Sequence, residues 1–116
     1  MNEKQIETIK KLITSTKQGK IKWSGKCNGG LYTYKCTHDI NYAITVKYIR
    51  RQSASVHIEC QTENPFTVLD VSANYAGPVI NHWHVLEPLM NAINEYIKEC
   101  SRKDASEALD EFLETL

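Results

Sequence analysis

The chain has 116 residues, sets 14 Lys and Arg against 14 Asp and Glu, and is 41% hydrophobic. That bounds it to a single domain, residues 1–116, able to bury a core without metal or disulfide staples. No apolar run approaches the roughly 20 residues of a membrane span, and Met1-Asn2-Glu3-Lys4-Gln5 opens no apolar signal region, so a cytoplasmic protein is expected.

Ile6, Ile9, Leu12, Ile13 and Thr16 recur at helical spacing with Lys4, Lys10, Lys11 and Lys17 off that stripe, which predicts an amphipathic helix over 3–18. Gly19 ends it as a left-handed cap. Ile21 and Trp23 then alternate with Lys20 and Lys22 as in a half-buried strand, and Asn28-Gly29 supplies a type I′ hairpin turn. The next strand, about 31–37, puts Tyr32, Tyr34 and Cys36 on one face and Thr33, Lys35 and Thr37 on the other.

After a turn at His38-Asp39-Ile40, a strand over 41–50 directs Tyr42, Ile44, Val46 and Tyr48 inward and Thr45 and Lys47 outward. Arg50-Arg51-Gln52-Ser53 forms the following turn. Strand 54–61 sends Val56, Ile58 and Cys60 one way and His57 and Glu59 the other. The loop 62–65 stops it, since Pro65 cannot donate to a ladder. A fifth strand runs from Phe66 to about Ala73. Its apolar residues switch parity between Val68 and Leu69, which points to a bulge or to burial on both faces.

Tyr75-Ala76-Gly77-Pro78 reads as a turn and Val79-Ile80 as a short extended piece. Leu86, Leu89, Met90, Ile93, Tyr96 and Ile97 form a second helical stripe, with Pro88 in its first turn or at a kink. Asp104 and Glu107 resemble a capping box opening a third helix whose stripe is Leu109, Phe112, Leu113 and Leu116. The expected fold is α+β: an N-terminal helix, an antiparallel meander of about five strands and two C-terminal helices packed on one sheet face. Its core should contain Ile9, Ile13, Trp23, Tyr34, Ile44, Val46, Val56, Ile58, Leu86, Met90 and Ile93. The other face should carry Thr33, Lys35, Thr45, Lys47, His57 and Glu59.

Overall neutrality hides an asymmetry. Residues 1–51 hold 11 Lys/Arg and three acids, a net +8, whereas residues 52–116 hold three Lys/Arg and 11 acids, a net −8. Such a split offers one surface to a polyanion and another to a basic partner, or lets the halves neutralise each other within the fold or between copies.

Few constellations favour catalysis. His82-Trp83-His84 with Glu87 supplies too few ligands for zinc. Cys27, Cys36 and His38 are spread too far along the hairpin. His57 and Cys60 point to opposite faces of one strand, which rules out a Cys-His pair there. The four cysteines at 27, 36, 60 and 100 lack a Cys-x-x-Cys and are expected as reduced thiols. Asn28-Gly29-Gly30 opens no helix and so lacks phosphate-loop geometry. No catalytic residue, metal or cofactor is expected.

The stretch from Leu12 to Trp23 resembles the opening of many small bacterial and phage proteins, in which a helix ends in a Thr-x-x-Gly-Lys-Ile-x-Trp-like turn into a meander. The likeness implies architecture and no activity. The reading that results is a non-enzymatic protein that binds another macromolecule, an inhibitor, immunity or anti-defence protein of a bacterium or phage fitting best. Its expected partner-binding residues are Lys35, Lys47, Arg50, Arg51, His57, Glu59, Asp110, Glu111 and Glu114. The alternative is a nucleic-acid-binding module using the basic first half. Leu109, Phe112, Leu113 and Leu116 are candidates for self-association as a homodimer.

Overall fold

The computed structural model describes residues 1–39, 42–75 and 82–116. Val79-Ile80 and most of the expected turn at 75–78 lie outside them, as does Ile40 of the turn expected at 38–40.

Helix α1 spans Glu3–Lys17 and opens with a capping box. Asn2 Oδ1 accepts from the Gln5 N–H at 2.8 Å, and Gln5 Oε1 accepts from the Asn2 N–H at 3.0 Å. Two of the four orphan donors at the helix start are thereby satisfied. The other end is a Schellman motif. Gly19 has φ +71°, its N–H donates to the Thr16 carbonyl and the Lys20 N–H to the Ser15 carbonyl.

Five antiparallel strands follow: β1 Ser24–Asn28, β2 Leu31–Asp39, β3 Tyr42–Ile49, β4 Ser53–Cys60 and β5 Phe66–Asn74. They lie in the sheet in chain order. The first hairpin turns on Gly29 and Gly30, at φ +59° and +86°, so the turn sits one residue later than Asn28-Gly29. A type I′ turn needs positive φ at both central residues, and two adjacent glycines meet that need better than Asn-Gly. Cys27 consequently pairs with Tyr32. Ile21 and Trp23 are buried as expected, but in the connection before β1 rather than in a strand.

The parity switch in β5 is a bulge. Ile58 pairs with Leu69 and Glu59 with Thr67, which leaves Val68 as the extra residue. Leu69, Val71 and Ala73 then face inward, while Phe66 and Val68 are exposed. Tyr42, expected inward, is 44% exposed at the margin of the sheet.

The two expected C-terminal helices are one: α2 runs unbroken from Trp83 to Glu114, 32 residues or about 48 Å at helical rise. Nothing between Cys100 and Asp104 breaks it, because that stretch holds neither Gly nor Pro and a cap-like Asp-x-x-Glu is equally at home inside a helix. Pro88 falls in the second turn, where it denies the His84 carbonyl its helical donor from an exposed position.

Both helices cover one face of the sheet. The core joins Ile9 and Leu12 of α1 to Leu86, Leu89, Met90 and Ile93 of α2 over Tyr34, Val46, Val56, Ile58 and Val71 of the sheet. Ile13 packs on this cluster, half-buried. Toward β1 the helix comes so close that a Cβ added to Gly25 would lie 2.7 Å from Tyr34 and 3.0 Å from Ile97. Beyond that crossing the chain leaves the domain, and every residue from Lys98 to Leu116 is exposed.

Candidate functional site

The side chains the helices do not cover form a grid whose rows are set by strand register. One row reads Lys26, Thr33, Lys47, Ser55 and Ser72 across β1 to β5, and the next reads Ser24, Lys35, Thr45, His57 and Asp70. Beside them Ala43, Glu59 and Thr67 form a shorter row. Neighbouring strands are about 4.8 Å apart, so each row is a continuous polar line.

Charge is segregated across this face. Lys26, Lys35 and Lys47 stand on β1, β2 and β3, while Glu59 and Asp70 stand on β4 and β5. Between the two acids lies His57, whose Nε2 is 3.5 Å from Glu59 and whose Nδ1 is 3.8 Å from Asp70. His57 and Glu59 are half-buried and Asp70 is exposed, and at these distances the contacts orient the imidazole and contribute little stability. On the basic side Ser24, Gly25, Lys26, Asn28, Leu31, Thr33 and Lys35 line a shallow cavity of about 370 Å³.

Four of the expected binding residues, Lys35, Lys47, His57 and Glu59, therefore share one surface. Arg50 and Arg51 sit in the β3–β4 turn, which is closed by the Gln52 N–H donating to the Ile49 carbonyl at 2.9 Å. Arg51 holds φ +60°, a conformation that costs a side-chain-bearing residue free energy. Asp110, Glu111 and Glu114 belong elsewhere, on the overhanging end of α2. Lys26 and Asp70 are charged residues of this face that the expected set lacks, Asp70 because the bulge at Val68 hides the phase of β5.

The aromatic residues are on the other side. Tyr34, Tyr32, Tyr48, Trp83 and Tyr75 form a row with successive ring centroids 6.1, 6.1, 6.0 and 5.5 Å apart. Tyr34 donates from its hydroxyl to Asn94 Oδ1. Burial, reinforced by Tyr32 and Tyr48, pushes its phenol up to about 12. Burial likewise raises Tyr48 and the Cys36 thiol.

His57 and Cys60 do face opposite ways, the thiol being buried. Cys27 is exposed and Cys36 buried, about four residues or 13 Å apart along the hairpin. His82 Nε2 lies 2.9 Å from the amino group of Met1, with the His84 ring 6.3 Å away. Among the described residues no three His, Cys, Asp or Glu side chains come together as a metal site, and no helix is long and apolar enough to cross a membrane. No protein-family model, curated protein or solved structure matches the chain.

Proposed function

We propose that the chain is a non-catalytic binding protein whose uncovered sheet face receives another protein, in the manner of a small inhibitor, immunity or anti-defence protein of a bacterium or phage. One observation carries this reading. A face without covering helices presents three lysines on β1–β3 against Glu59 and Asp70 on β4–β5, so a partner is selected by sign on both halves. Small polar residues, Thr33, Thr45, Ser55 and Ser72, fill the positions between and leave a low surface on which a partner's side chains can seat. The cytoplasm is the compartment proposed.

The test is capture from lysate of a bacterial or phage-infected host by the tagged chain and by a Lys35→Glu, Lys47→Glu variant. Both residues are exposed, so the variant keeps its fold. A protein captured stoichiometrically by the first and lost by the second supports the reading. Capture indifferent to the reversal, or turnover of a small molecule by the isolated chain, overturns it.

The second reading, nucleic acid, is favoured by Lys26, Lys35 and Lys47 on adjacent strands with Arg50 and Arg51 in the neighbouring turn. Because Tyr32, Tyr34 and Tyr48 lie on the helix-covered face, base stacking among these cations is absent and binding would rest on phosphates. Affinity should fall with salt at a log–log slope of roughly −0.7 to −0.9 per phosphate neutralised. Absence of binding at low ionic strength removes this reading.

A further inference from the structure

At the end of the sheet where β2 begins and β3 stops, α2 does not close fully onto the strands. A cavity of about 400 Å³ remains there, within the size range of sites that take a small organic ligand. Tyr32 and Tyr48, paired across β2 and β3, supply its sheet side, and Arg50 joins them from the β3–β4 turn. Asn91, Asn94, Glu95 and Lys98 supply its helix side. Their i, i+3, i+4, i+7 spacing puts all four on one side of α2. A helix side turned toward a sheet is ordinarily apolar, so these residues give the cavity a hydrogen-bonding capacity that packing does not use.

The charges around the cavity do not balance. Lys98 lies 3.9 Å from Glu95, so those two offset each other. Arg50 is exposed and forms no ion pair among the described residues, which leaves one surplus cation. Burial and then Glu87 raise the Tyr48 phenol while Arg50 pulls it down, so the guanidinium stands close to the tyrosines. Asn94 accepts from the Tyr34 hydroxyl through Oδ1, which fixes its amide and leaves its N–H pair to donate. Asn91 is exposed, and its side chain has no hydrogen bond among the described residues.

We propose that this cavity binds a nucleoside monophosphate. Arg50 takes the phosphate, whose oxygens match the guanidinium fork. The base lies against Tyr32, which is half-buried and the more open of the two rings. The amides of Asn91 and Asn94 both donate and accept, as the edge of a base requires. Glu95 accepts from the ribose hydroxyls. Inorganic phosphate would engage Arg50 alone, and an uncharged nucleoside would leave that cation unused. The cavity lies on the helix-covered side of the sheet, so this inference is independent of what the uncovered face receives.

Isothermal titration calorimetry of the full chain with AMP, GMP, CMP and UMP tests it, with inorganic phosphate and the four nucleosides as comparisons. At least one nucleotide should bind with a Kd of about 10–100 µM, as expected for a ligand of this size. Phosphate and the matching nucleoside should each bind about tenfold more weakly or worse. Arg50→Glu should cost about tenfold or more in affinity for the nucleotide, and Asn91→Leu a severalfold loss. Both residues are exposed, so both variants should keep the parent thermal midpoint. The Lys35→Glu, Lys47→Glu variant should bind the nucleotide as the parent does, which separates this site from the uncovered face. No binding of any of the four nucleotides at 1 mM, phosphate binding as tightly as a nucleotide, or an affinity indifferent to Arg50→Glu or to Asn91→Leu overturns the proposal.

Discussion

Trp23 donates its indole N–H to Thr16 Oγ1 at 3.0 Å inside the core, and Thr16 donates in turn to the Leu12 carbonyl at 2.7 Å. The pair joins the last turn of α1 to the connection that enters β1, and every polar atom in it is satisfied. Replacing Thr16 with Val keeps the shape and orphans a buried indole N–H, which costs about 1–3 kcal/mol. Thr16→Ser keeps the acceptor and should lose less. Urea midpoints of the two variants decide the matter, and a Thr16→Val midpoint equal to that of the parent would sink the assignment.

Gly25 has an ordinary φ, so its need for glycine is steric. Gly25→Ala drives a methyl against Tyr34 and Ile97 at the closest approach of α2 to β1. A destabilisation of about 1–3 kcal/mol is expected, as for other overpacked contacts. Ser24→Ala, one residue away and exposed, should change the thermal midpoint little. Equal midpoints for the two variants would contradict the close crossing.

Arg51 at φ +60° occupies a position that suits glycine. Arg51→Gly should raise stability by about 0.5–1 kcal/mol, the relief of left-handed strain less the added freedom of the unfolded chain. Arg51→Val should lower it, since a β-branched side chain fits that region worse. Chemical denaturation of both variants gives the sign, and a loss of stability in Arg51→Gly would show that the Arg51 side chain contributes more than its strain costs.

The Tyr34 phenol ionises near 12 in the folded chain against an ordinary 10. Between those values the unfolded chain releases a proton that the folded chain keeps. The stability tied to this group is thus complete below pH 10 and is lost as pH rises toward 12, by about 3 kcal/mol at most. Denaturant titrations at pH 9 and pH 11.5 should show the fall. Tyr34→Phe should flatten that part of it, while sacrificing the bond to Asn94 at neutral pH. A pH dependence identical in the two chains would be the contrary result.

Much of the fold was legible because alternation with period 2 and recurrence near 3.6 are direct signatures of which side is buried. The meander, the inward residues Tyr34, Ile44, Val46, Val56 and Ile58, the left-handed cap at Gly19 and the irregularity in β5 all follow from them. The joining of the last two helices did not, and the reason is geometric. The apolar stripe changes phase by about 120° between Ile97 and Leu109, which on paper looks like a break. One continuous helix reconciles both stripes by presenting them to different sides. Likewise Asn28-Gly29 is a strong turn signal, but Gly29-Gly30 satisfies the same backbone demand with no side chain at either position. Lys35 and Lys47 were readable from strand parity alone, whereas Lys26 joins them through the pairing of β1 with β2, and placing Asp70 opposite His57 required knowing which residue bulges.

Because the strands pair in chain order, each hairpin closes over a short stretch, and the meander is a locally connected unit of the kind that forms quickly. The first helix is different: it packs beside the last, and its Ile9 and Leu12 have no helix to pack against until residues beyond Trp83 are available. During synthesis the N-terminal element emerges first and completes its packing last. A pause in translation before Trp83 therefore leaves Ile9 and Leu12 without their α2 neighbours on the ribosome-bound chain, and the arrival of α2 completes the core.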